Sequence, residues 1–133
     1  ATATGHRVII VDTDVLIAHL RGSTSAHAWL RRVAADEDLA ISVVTVAEIM
    51  GGMRSAERTA VRALLSALPA IPVSEVIAAR AGDLQREFRR SHQGISLGDY
   101  LIAGTADMVG ATVATLNTRH FPMFEGLQPP FRP

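Results

Sequence analysis

Acidic side chains stand beside the apolar runs of this chain in a repeated way. Asp12 directly follows Val8-Ile9-Ile10-Val11, Glu48 comes shortly after the Leu39 to Val44 run, and Asp99 opens an apolar stretch behind Ser96. Asn117 follows a fourth run, Ala111 to Leu116. Carboxylates gathered with no lysine among them repel one another, and a hard divalent cation with oxygen ligands relieves that repulsion. Mg2+ is the expected ion, with Mn2+ as an alternative. Such a site activates water and stabilises the leaving oxygen of a phosphodiester, so the implied chemistry is metal-assisted hydrolysis.

Each acid also has a purely structural reading. Asp12 or Asp14 can cap a helix that starts near Val15. Thr45-Val46-Ala47-Glu48 reads as a capping box with Glu48 at the third helical position, and Ser96-Leu97-Gly98-Asp99 repeats the pattern. The two roles are compatible, because a cap fixes a side chain where a strand or loop becomes a helix.

The elements that must position these residues alternate along the chain. Strands are expected at residues 8–11, 39–44, 71–73 and 111–116, with at most one further short edge strand near Leu127. Helices are expected from Val15 to Leu20, from the Ser23-Thr24-Ser25 cap onward, from Thr45 to a bend at Gly51-Gly52, from Glu57 to Leu68, after Ser74, and from residue 97 to 109. Trp29 reads as core. Residues 97–109 are apolar on nearly all sides, which fits a helix packed on the sheet and on something else, such as a second chain. The helix after Ser74 opposes an apolar stripe with Arg80, Asp83, Arg86, Glu87, Arg89 and Arg90, either a solvated face or a patch for RNA or a partner.

Strands and helices in alternation predict a parallel sheet with helices on both faces, and right-handed crossovers put every strand's C-terminal end on one edge. Asp12, Glu48, Asp99 and Asn117 all fall at that edge. Thr13, Thr115 and Asn117 are candidates for positioning water or substrate. The five histidines (His6, His19, His27, His92 and His120) show no metal-ligand spacing and read as surface or core residues, with only His120 near the edge.

Composition excludes several other chemistries. With 133 residues, a single domain spanning 1–133 is expected. There is no cysteine, so thiolate catalysis, cysteine zinc sites and a disulfide framework are absent. All thirteen basic residues are arginine, and they balance thirteen acidic ones. Lysine chemistry is therefore excluded, and nucleic acid would have to be held by local patches rather than by a global field. The apolar runs are too short to span a bilayer, and residues 1–7 lack the apolar core of a signal peptide, so a soluble cytoplasmic protein is expected.

Four segments together resemble the PIN-domain ribonucleases, and closely the VapC-type toxins of type II toxin-antitoxin systems. They are Val11-Asp12-Thr13-Asp14-Val15-Leu16-Ile17, Ser42-Val43-Val44-Thr45-Val46-Ala47-Glu48-Ile49, Asp99-Tyr100-Leu101-Ile102-Ala103, and Ala114-Thr115-Leu116-Asn117-Thr118-Arg119-His120-Phe121. The resemblance implies a PIN-like α/β/α sandwich on a five-stranded parallel sheet and a Mg2+-dependent endoribonuclease. It also implies a VapB-type antitoxin as inhibitor, and a homodimer or a heterotetramer or hetero-octamer with that antitoxin. By position, Asp12 and Asp99 look like metal ligands and Glu48 like the third acid, binding directly or through water. Many relatives carry a fourth acid where this chain has Asn117, which puts a second metal in question.

Two rivals remain at this level. Asp12-x-Asp14 after an apolar strand also opens haloacid-dehalogenase-like phosphatases, but their chemistry normally uses a later lysine that this chain lacks. A non-catalytic PIN-fold binding module would keep the acids as caps and use the apolar Val46 to Met53 face and the arginine helix for a partner.

Overall fold

The computed structural model describes residues 7–133. Residues 1–6, with His6 and most of the segment read above as lacking a signal peptide, lie outside them. Four strands, β1 (Val8–Val11), β2 (Asp38–Ser42), β3 (Ala70–Ile71) and β4 (Thr112–Ala114), form one parallel sheet in the order β3-β2-β1-β4. The helices are α1 (Thr13–Leu20), α2 (Thr24–Asp36), α3 (Val43–Gly52), α4 (Arg58–Ser66), α5 (Glu75–Phe88) and α6 (Leu97–Val109). The five-stranded sheet implied by the resemblance is four-stranded here. Residues 121–133 hold no strand near Leu127, and the prolines at 122, 129, 130 and 133 remove the donors an edge strand would need.

Strand β1 is central and apolar on both sides, so successive residues feed opposite layers. Ile10, with Ala40 and Val113, packs against Ala81 and Leu84 of α5 and Tyr100, Ala103 and Ala106 of α6. Ile9 and Val11, with Ile41 and Ala114, pack against Val15 and Leu16 of α1, Trp29 of α2, Ile49 of α3 and Val61 of α4. The result is the expected three-layer α/β/α sandwich, and Trp29 is core.

Helices α5 and α6 touch backbone to backbone. A Cβ on Gly104 would lie 3.1 Å from both Ala81 N and Ile77 O, so any larger residue would push the two backbones apart at that crossing. Close approach brings Arg80 onto Asp107 as an ion pair and uses up one of the arginines on the α5 face.

Several boundaries differ from the sequence reading. Helix α1 begins at Thr13 with Asp12 as its N-cap. Helix α3 begins at Val43 under a Ser42 cap whose hydroxyl accepts from Val44 N–H at 3.1 Å, so Thr45 is not its cap. Glu48 therefore sits well inside the helix and is no capping-box acid. The Ser96–Asp99 box is present as read: Ser96 Oγ accepts from Asp99 N–H at 3.1 Å, and Asp99 Oδ2 accepts from Ser96 N–H at 3.3 Å.

Candidate active site

The C-terminal ends of β1 and β4 meet around Asp12. Its main-chain N–H donates to Ala114 O at 2.9 Å, which extends the β1–β4 ladder by one residue. Its carboxylate accepts from Thr13 N–H through Oδ1 at 2.8 Å and from the Thr115 hydroxyl through Oδ2 at 2.7 Å. Asp12 is only 5% exposed, and its carboxyl is pushed up from 3.8 to about 7. Burial is the main cause, the Asp14 charge adds to it and Asp99 contributes further, while the Thr115 and Thr13 hydrogen bonds pull the other way.

Asp14 shares this corner and is raised by burial as well. Leu116 N–H donates to it at 3.1 Å and Thr115 Oγ1 lies 3.3 Å away, so Asp14 clamps the chain after β4 from the start of α1. Thr115 is fully buried. Its one proton goes to the nearer Asp12, and its oxygen accepts from Asn117 N–H at 3.0 Å. It acts on the carboxylate and has no free face for a substrate.

Glu48 reaches the cluster from α3 through Thr13. Thr13 Oγ1 lies 2.6 Å from Glu48 Oε1 and 3.0 Å from Thr45 Oγ1. A carboxylate can only accept, so Thr13 gives its proton to Glu48 and takes one from buried Thr45. Gly98 at the start of α6 makes room on the other side, since a Cβ there would stand 3.1 Å from Glu48 Oε2. The first turns of α1 and α6 thus hold the Glu48 head between them.

Asp99 is oriented by its own helix start and by His120, whose Nδ1 is 2.9 Å from Asp99 Oδ2 and 3.0 Å from Asn117 Nδ2. That nitrogen either donates to Asp99 or accepts from Asn117. Asn117 is exposed and turned toward His120, on the outer side of the cluster.

The structure therefore brings Asp12 beside Asp14 and Thr115, and Glu48 beside Thr13 and Gly98. Asp99 affects Asp12 through its charge. Sequence reasoning put His120 near this edge but missed its contact with Asp99, and it missed the bond between Thr45 and Thr13. No spacing could flag either, because their partners come from other elements.

Among the described residues, no three carboxylate or imidazole groups converge into one tight metal cluster. The donor set still suits a hard divalent cation: it is all oxygen, and the charge pressing on Asp12 from Asp14 and Asp99 is what a cation relieves. Mg2+ keeps several waters and binds through one or two carboxylates plus phosphate oxygens, so it does not require a closed protein cage. No helix among the described residues is long and apolar enough to cross a membrane.

Comparison with known proteins agrees with this fold. Residues 9–125 match the PIN domain family. Over 124 residues the chain is 59% identical to Ribonuclease VapC10 of Mycobacterium tuberculosis, covering 93% of each chain. A toxin-antitoxin complex from Klebsiella pneumoniae contains a chain of similar fold, with TM-score 0.77 and 28% identity, covering 95% of this chain and 98% of that one. VapBC2 from Rickettsia felis, bound to a DNA fragment from its promoter, shares the fold with TM-score 0.78 at 24% identity, over 90% of this chain and 95% of that one.

Proposed function

The chain belongs to the PIN-domain family, and we propose that it is a Mg2+-dependent endoribonuclease, the toxin of a type II toxin-antitoxin pair. One observation carries the reading: Asp12, buried at the end of the central strand and raised to about 7, feels the charge of Asp99 from a separate helix. A purely structural cap has no need of a second and third acid at the same edge. The 59% identity to a named ribonuclease supports the same conclusion, and the PIN match over residues 9–125 supports reading the chain as a single domain.

Asp12 and Asp99 would hold the cation, with Glu48 joining directly or through water. When bound, such an ion supplies an acidified water and charge stabilisation for the leaving oxygen. The protein's own work is to aim and to exclude. Thr115 and Thr13 N–H fix both oxygens of Asp12, Thr13 aims Glu48, and His120 with the Ser96 box aims Asp99. Burial keeps bulk water from screening these charges, which strengthens their pull on a phosphodiester. Asn117 stands at the outer rim, open to water or substrate.

A VapB-type antitoxin is the inhibitor. Its place is supported by a shallow apolar depression between α1 and α3, about 240 Å3 with open solvent included, lined by Ile17, Leu20, Ile49 and Met53 and reaching Glu48. A tail seated there could place an arginine against the acids. A homodimer is supported by exposed Val76, Met108 and Val109, which lie at the same end of the α5–α6 pair. A cysteine-free nuclease of this kind fits the cytoplasm.

The test is cleavage of structured RNA by purified protein freed of any partner, with Mg2+ and with EDTA. Cleavage is expected with Mg2+ only. Wild-type rates in Asp99→Asn would show that the acids assigned here do not form the site.

A further inference from the structure

We propose that the RNA strand flanking the cut runs through a polar groove between the turn after α5 and the turn after β4, with Arg119 and His92 as its phosphate contacts; this rests on the ribonuclease reading above. The groove holds about 1090 Å3, open solvent included. Ser91, His92 and Gln93 form one wall, and Asn117, Arg119 and His120 form the other.

Its chemistry is that of a phosphate path. No acid lines it. Arg119 is exposed, and like Arg89 and Arg90 just before Ser91 it has no ion-pair partner among the described residues. A free guanidinium beside amides, hydroxyls and imidazoles complements phosphate oxygens, and imidazole faces also stack on unpaired bases.

The groove is also held in shape. His92 Nδ1 lies 2.8 Å from Ser91 Oγ, and the His92 ring stands edge-on to Phe88 with centroids 5.7 Å apart. Gly94, at φ 83°, folds the α5–α6 connection against the second wall, where a Cβ would lie 4.0 Å from His120 Nε2. His120 belongs to both places. Its Nδ1 meets Asp99, and its ring borders the groove, so a strand whose phosphate sits among the acids has this polar exit next to it. A peptide partner would seek apolar grips, and those line the α1–α3 depression instead.

The test uses the full chain freed of partner and a labelled single-stranded RNA oligonucleotide. Binding is followed by anisotropy at several salt concentrations in Asp99→Asn protein, alone and with Arg119→Ala or His92→Ala. Cleavage is followed with the same two substitutions in otherwise wild-type protein. Each substitution is expected to weaken binding about five-fold, and Arg119→Ala to reduce the salt slope by ~1. KM should rise while kcat stays within about two-fold of wild type. Unchanged binding and salt slope, in variants that melt like their parent, would overturn the proposal, and so would a lower kcat at constant KM. It falls too if RNA binding is spared while capture of a protein partner weakens. Should wild-type protein fail to cleave RNA with Mg2+, the ribonuclease reading fails, and the binding measurements still decide the groove.

Discussion

Thr115 donates its hydroxyl to Asp12 Oδ2 at 2.7 Å across 103 residues of chain, so the carboxylate at the end of the central strand is held by the residue that follows the last strand made. Removing that charge has opposite effects on activity and stability. The folded Asp12 carboxyl titrates near 7 against an ordinary 3.8, so between those values the folded chain keeps a proton that the unfolded chain has released. Stability tied to that proton is complete below the lower value and is lost as pH rises through the upper one. Asp12→Asn should therefore abolish cleavage yet stabilise the metal-free protein at pH 8, by on the order of 2–4 kcal/mol, with little change near pH 3.5. Denaturant titrations at the two pH values check it, and equal stability of both proteins at pH 8 would refute it.

The same proton opposes metal. Protonated Asp12 cannot ligate a cation, so Mg2+ affinity should fall as pH is lowered through about 7. Calorimetric Mg2+ titrations at pH 6 and pH 8 should show tighter binding at pH 8, with protons released in the lower range. Affinity that does not vary with pH would mean Asp12 is not a ligand.

Thr13 aims Glu48 at 2.6 Å, so Thr13→Val should free that carboxylate while filling the same space. Cleavage is expected to drop roughly ten-fold, equivalent to about 1.4 kcal/mol in the transition state, and Thr13→Ser should restore most of it. A Thr13→Val protein as active as its parent would leave Glu48 without this alignment.

Gly98 and Gly104 lie on one helix and predict different outcomes. A methyl at Gly98 is crowded by the Glu48 carboxylate at 3.1 Å and otherwise meets Val44 and Ser96 at ordinary contact distance, so Gly98→Ala should leave stability unchanged or up to about 1 kcal/mol higher while cleavage falls as Glu48 is pushed aside. A methyl at Gly104 meets Ala81 and Ile77 backbone, so Gly104→Ala should destabilise by about 1–3 kcal/mol and leave kcat of the folded fraction intact. Urea unfolding paired with initial rates separates the two, and the reverse pattern would contradict both assignments.

The parallel sheet, its two covering layers and the edge where the acids gather were legible because β1 is a continuous apolar run and the acids follow such runs. The Ser96–Asp99 start was legible because its signal is local. Helix α3 was misread at its start: β-branched Val43 and Val44 favour a strand, yet the Ser42 cap takes both into the helix. That correction strengthens Glu48, which loses its structural excuse. His120 was placed near the edge, but its partner Asp99 could not be read, nor could the bond between Thr45 and Thr13, since contacts 21 and 32 residues distant leave no periodic trace.

The central position of β1 also sets a schedule for synthesis. Chains emerge and fold from the N-terminus, and β1 is made long before β4, whose Ala114 O and neighbouring Thr115 complete the surroundings of Asp12. A nascent or truncated chain ending before residue 112 carries Asp12, Glu48 and Asp99 but lacks the strand that seats the first of them. In a chain built in this order the surroundings of Asp12 are not complete until nearly all of it has been assembled.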